Sequence, residues 1–157
     1  LAKAEWARAE HDPLTARKSL SYHGNVRARR CAASMGADEV YFLNHGGHLA
    51  EGAISNLFFA ADGILLTPAQ SCGLLPGIAR RTVLELCEKY DIPVRRGQYG
   101  EKALRTCAEA FCTNSLRGVM PVAGLADGPD FRPAPGQLTS RVQRLYACKL
   151  RTECGAS

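Results

Sequence analysis

No stretch of this 157-residue chain is apolar for long enough to span a bilayer, and no cleavable leader is visible. Metal-site spacing is missing too. Cysteines stand at 31, 72, 87, 107, 112, 148 and 154 without a Cys-x-x-Cys pair, and the four histidines show no ligand spacing with them. An odd count of unpaired cysteines argues against a disulfide framework; free thiols in a reducing cytoplasm are the simplest account. Neither Gly-x-Gly-x-x-Gly nor a Walker phosphate loop occurs. The formal charge is +5, yet there is no basic tail and no aromatic ladder. Clusters such as Arg27, Arg29 and Arg30, or Arg95 and Arg96, are interrupted by acids. Solvated helix faces and one anionic small-molecule site account for the charge better than nucleic acid does. These absences leave a small molecule as the expected partner. The sequence starts at Leu1 with a charged segment (Lys3, Glu5, Arg8, Glu10), which predicts that it begins partway through a larger protein.

What is present is ordinary for a globular domain: 46% apolar and 22% charged residues, in a chain long enough for one core. Residues 1–17 read as an irregular lead-in broken at Asp12-Pro13. Residues 25–35 read as a helix ending near Gly36. Glu39–Leu43 is strand-like, with a second short strand around His48–Glu51. Two strands, Asn56–Ala60 and Ile64–Thr67, flank Asp62-Gly63, a hairpin signal. Ile78, Val83, Leu86, Cys87 and Tyr90 recur at helical spacing. A brief strand at 92–94, a helix near 101–106, strands at 110–113 and 119–122, a proline-rich loop at 128–136 and a last amphipathic helix at 137–150 complete the reading. Hairpins with inserted helices predict a mixed α/β domain, not a regular βαβ series.

The chemistry concentrates at four places. Leu75-Pro76-Gly77-Ile78 makes a tight entry to a helix whose first amides have no partner within it. With the helix dipole, they form a cup for an anion such as phosphate. Lys18 precedes a helix. Glu51 enters a core strand through Glu51-Gly52, ahead of Asn56-Leu57-Phe58. Thr113-Asn114-Ser115 is a polar cluster at a strand end. An amine, a carboxylate and a phosphate cup are what pyridoxal phosphate requires: a Schiff-base partner, a partner for its ring nitrogen and an anchor.

On Lys18-Ser19-Leu20, Glu51-Gly52 with Asn56-Leu57-Phe58, Leu75-Pro76-Gly77-Ile78-x-Arg80 and Phe111-x-Thr113-Asn114-Ser115 leading to Pro121-Val122, the chain resembles the class IV (fold type IV) pyridoxal-phosphate enzymes. These include aminodeoxychorismate lyases and branched-chain and D-amino acid aminotransferases. The resemblance implies the larger, C-terminal domain of that fold, a hairpin-rich pseudo-barrel with flanking helices. Residues 18–157 would form this cofactor-binding domain and residues 1–17 an interdomain segment. The family's small N-terminal domain, which gives the phosphate an arginine, would be absent from this chain. By the same resemblance, Lys18 would be the Schiff-base lysine and proton carrier, and Glu51 would pair with the pyridine nitrogen. The amides of Ile78 and Ala79 would hold the phosphate, with Ser115 adding a contact and Asn114 beside phosphate or substrate. Tyr22 would donate to the cofactor's phenolic oxygen. Arg80 would anchor its helix. Ala79 departs from the Thr of many relatives and keeps only the amide. A homodimer is implied. Leu43-Asn44 and Thr113–Val119 look most like the lyases, which form 4-aminobenzoate and pyruvate. An aminotransferase of branched-chain or D-amino acids shares the first proton removal, and a non-catalytic anion-binding remnant would keep the cup without needing Lys18.

Overall fold

The computed structural model describes residues 1–12, 14–15 and 17–155; Pro13 of the predicted Asp12-Pro13 break lies outside them. In chain order the elements are β1 (Ala2–Lys3), α1 (His23–Ser34), β2 (Val40–Tyr41), β3 (Asn56–Ala61), β4 (Ile64–Pro68), α2 (Ile78–Lys89), β5 (Val94–Gly97), α3 (Glu101–Arg105), β6 (Glu109–Asn114), β7 (Gly118–Val122) and α4 (Gln137–Cys154). A single 3-10 turn, Gln70–Cys72, follows β4. The architecture is mixed α/β, as expected. β5-β4-β3-β6-β7 form a five-stranded sheet in which only β4 and β5 run parallel, and β1 pairs with β2 in a small parallel sheet. The β3–β4 hairpin closes with Ala61 opposite Ile64. Asp62 and Gly63 between them both have positive φ, as a primed two-residue turn requires.

Alternation along the strands separates two cores. Phe58, Ala60 and Leu65 face α2 and α4 and pack with Val83, Leu86, Phe111, Val142 and Tyr146. Phe58 and Phe111 stack there at 4.8 Å between ring centres. The other face presents Leu57, Phe59 and Cys112 to Tyr41, Leu49, Leu104 and Leu125. Bridges His48↔Gly100 and Glu51↔Asn56 fasten the segment after β2 to the larger sheet, so this second core is enclosed in a barrel-like wrap. A third cluster packs α1, through Ala28 and Ala32, on Val40, Phe42, Ala50 and Ala53.

Three local readings differ. The stretch expected as an irregular lead-in is paired: Ala2, Ala4 and Arg8 amides donate to the carbonyls of Glu39, Tyr41 and Leu43. That partner lies some forty residues away, beyond any local sequence signal. The expected strand at 48–51 is a set of single bridges. β5 begins at Val94, because the Ile92 amide still closes the end of α2 on Cys87 O and Pro93 has no amide to give. The lead-in also crosses the turn before α2 at Gly73. Its φ is +82°, and a Cβ there would lie 2.6 Å from Glu10 Cα.

Candidate functional site

Four elements begin or end around one cavity of about 460 Å³. Tyr22 is the N-cap of α1, Asn56 opens β3, Ile78 opens α2 and Asn114 closes β6. The β3–β6 register sets Asn56 opposite Thr113, so both come to the same rim. Lys18, Tyr22, Glu51, Ile78, Ala79, Asn114 and Ser115 all line this cavity.

Glu51 is the buried end. Arg8 NH2 lies 3.1 Å from its Oε1. Its Oε2 accepts the Leu75 amide at 3.0 Å and the Asn56 side-chain amide at 3.3 Å. Burial pushes its pKa up to about 7, against the opposing pull of Arg8 and the Leu75 amide. The Arg8 guanidinium lies 4.4 Å from the Phe42 ring centre, and its Nε is buried with no hydrogen-bond partner among the described residues.

The anion-binding part of the cavity is the start of α2. Gly77 is its N-cap, in extended conformation, and gives no side-chain cap. The first hydrogen bond back to it is from the Arg81 amide. The amides of residues 78–80 thus have no partner within the helix and can meet an anion. Ile78 is exposed and Ala79 buried. Arg80 is turned the other way: it is buried, with Nε donating to Thr67 Oγ1 at 3.3 Å and NH2 to Pro68 O at 2.8 Å. It clamps α2 to the end of β4, as the sequence reading expected.

Lys18 is exposed on the cavity wall, in the stretch before α1. The Tyr22 hydroxyl donates to Ala53 O over 3.5 Å, a long contact, and Asn25 donates to the same carbonyl. Asn114 Oδ1 is taken up by the amides of Leu116 and Arg117, which shapes the β6–β7 turn and presents Ser115 exposed beside it. Asn44, quoted for its resemblance, does not reach the cavity. Its side chain accepts the His48 amide and donates to Cys72 O. The sequence reading missed Arg8, Asn25 and the role of Asn56. Asn56 carried a signal, since it belongs to a motif already singled out; Arg8 and Asn25 meet the site only through the fold.

The amino-transferase class IV family model matches residues 1–125. The chain belongs to this family. Aminodeoxychorismate lyase of Bacillus subtilis is 31% identical over 134 residues, 85% of this chain and 45% of that protein. Branched-chain-amino-acid aminotransferase of Escherichia coli is 28% identical over 145 residues, 91% of this chain and 47% of that one. Among solved structures, a Legionella pneumophila protein assigned as a 4-amino-4-deoxychorismate lyase superposes with a TM-score of 0.89 at 30% identity, covering 94% of this chain and 54% of its own. The branched-chain aminotransferase of Thermobaculum terrenum, solved in its pyridoxal-phosphate form, gives 0.87 at 30% identity, covering 93% and 48%. The chain thus spans about half the length of the class IV relatives it matches. No described helix is long and apolar enough to cross a membrane.

Proposed function

We propose that the polypeptide carrying this class IV sequence is a pyridoxal-phosphate enzyme, and within the family an aminodeoxychorismate lyase. One observation carries the cofactor reading: Lys18, the buried Glu51 carboxylate and the uncapped start of α2 share one cavity. The donor set fits the group. A buried carboxylate suits a protonated ring nitrogen, the free amides of α2 suit a phosphate, and the Lys18 amine lines the same cavity. When bound, pyridoxal phosphate supplies an aldehyde that condenses with amines and a ring that withdraws electrons from the adjacent carbon.

The protein's residues then have defined tasks. Lys18 Nζ would hold the cofactor as its amine partner and, when free of it, would take up a proton from the amine-bearing carbon of a substrate. Glu51, steadied by Arg8, Asn56 and the Leu75 amide, holds negative charge against the ring nitrogen. The amides of Ile78 and Ala79 and the exposed Ser115 hold phosphate. Tyr22 sits within reach of the cavity to donate to the cofactor's phenolic oxygen, and Asn114 shapes the turn beside phosphate or substrate. A homodimer in the cytoplasm completes the reading. Exposed Leu14, Leu20 and Ile78 on or beside the cavity lining offer apolar surface for a second subunit.

The lyase reading is supported by the Bacillus and Legionella relatives, at 31% and 30% identity. Aminodeoxychorismate should yield pyruvate and 4-aminobenzoate. Turnover of branched-chain or D-amino acids that needs a keto acid, with no aminobenzoate formed, would select the aminotransferase reading, which the Escherichia coli and Thermobaculum relatives favour. Borohydride reduction with pyridoxal phosphate should fix cofactor mass on Lys18. Equal labelling of the Lys18→Ala variant sinks that assignment and favours an anion-binding remnant.

A further inference from the structure

Asn56 belongs to a quoted motif, yet none of the tasks above requires it to touch substrate or cofactor. Its side-chain nitrogen donates twice, to Glu51 Oε2 at 3.3 Å and to Leu75 O at 2.8 Å. The Leu75 amide returns to the same Glu51 oxygen at 3.0 Å. The three groups close a ring. Two acceptors facing one side-chain end fix the amide's orientation, since a flipped Asn56 would set its oxygen against both. The other end of the side chain then points toward Gly77. A Cβ on Gly77 would lie 2.2 Å from Asn56 Oδ1, so only glycine fits there. Gly77 is the residue from which α2 and its free amides start.

We propose that Asn56 is the positioning residue that sets the distance between the Glu51 carboxylate and the anion cup of α2. The inference rests on the pyridoxal-phosphate reading of the cavity. Asn56 is buried, opens a central strand and is paired on its backbone with both Glu51 and Thr113, so it is a rigid reference point. Leu75-Pro76-Gly77 is short, and both backbone groups of Leu75 are used, the carbonyl also accepting the Gly77 amide at 2.8 Å. A shift of the Asn56 amide would therefore disturb the carboxylate and the cup and change their separation. Losing one hydrogen bond to a buried charge matters more than losing one between neutral groups.

The test uses binding, not turnover. Affinities for pyridoxal phosphate and for phosphate-free pyridoxal are read from visible absorbance between pH 5 and 9, in the parent protein, Glu51→Gln, Asn56→Ser and Asn56→Asp. Arg8, Arg80 and Glu39 are the other charged groups that act on Glu51, and they stay constant across the series. Asn56→Ser should weaken pyridoxal phosphate about tenfold, and pyridoxal less, because the cup shifts as well as the carboxylate. Asn56→Asp is isosteric and folds where Asn56→Ser fails. It should bind nearly as the parent does at pH 5 and lose at least about tenfold by pH 8, as a second carboxylate ionises beside Glu51. If both variants keep the parent's affinity and pH profile while Glu51→Gln weakens binding, Asn56 positions nothing. A lower melting temperature with unchanged affinity of the folded protein overturns the proposal equally. If the parent itself shows no Lys18-dependent absorbance, the cofactor reading has failed, and the Asn56 proposal falls with it.

Discussion

At the Glu51 end of the cavity, the polar contacts come from several segments: Asn56 stands 5 residues away, Leu75 24, and Arg8 arrives from the paired lead-in. At the Lys18 end the backbone contacts of the described residues are local, and the Tyr22 hydroxyl alone makes a long contact to Ala53 O. Arg17 donates to Leu14 O, Ser21 to Ser19 Oγ and Tyr22 to Leu20 O, and residues 17–22 are exposed. The charge-holding end is thus set by the tertiary fold before any ligand arrives, whereas the amine sits on backbone shaped by its own neighbours. Preorganised charge is costly to rebuild during a reaction, whereas under the proposed function the Lys18 amine would need room to engage and leave the cofactor, and it stands exposed.

The contrast makes ordered predictions. Lys18→Ala should abolish borohydride-fixed cofactor, seen as loss of the mass adduct. Chemical denaturation should show stability unchanged within about 0.5 kcal/mol, since the side chain is exposed. A large destabilisation would mean that the two ends are not built differently. Arg8→Ala should do the reverse. It strips Glu51 of its ion pair and uncovers the Phe42 face, costing about 4 kcal/mol at pH 8 in a urea titration. At pH 5 the loss should be smaller, because Glu51 can take up a proton.

Glu51→Gln sharpens the same point. Its folded pKa of about 7 lies above the ordinary 4.5, so folding takes up a proton between these values. The group's contribution is largest below about pH 4.5 and falls, by about 3 kcal/mol in all, as pH rises through 7. The cofactor-free Gln variant should lack that slope; an unchanged slope places the proton elsewhere. Ser115→Ala is the smallest change. It should weaken pyridoxal phosphate about fivefold, leave pyridoxal unaffected and hold stability within about 0.5 kcal/mol, because its hydroxyl is exposed.

What was legible in the sequence follows the same divide. The Asp62-Gly63 hairpin, the amphipathic α2 and the uncapped Pro76-Gly77 start are written in neighbouring residues, and the structure places them within a residue or two; α4 starts where expected and runs four residues further, to Cys154. The resemblance brought Lys18, Glu51, Ile78, Ala79, Asn114 and Ser115 to one cavity. Arg8 was not legible. Nothing in Trp6-Ala7-Arg8 announces a partner at Glu51, and only the pairing of the lead-in with β2 delivers it. The expected strand at 48–51 was overread because it follows turn residues, and only the fold shows that its pairing stops at single bridges.

The crossing at Gly73 carries a last consequence. There the lead-in and the turn before α2 touch backbone to backbone, and no side chain larger than hydrogen can stand between them. A valine there would act as a wedge. It would lift the segment bearing Arg8 off the loop bearing Leu75, and so undo both grips on Glu51 without altering any residue of the cavity. Glycine at this crossing is thus as much a condition of the Glu51 arrangement as the residues that touch it.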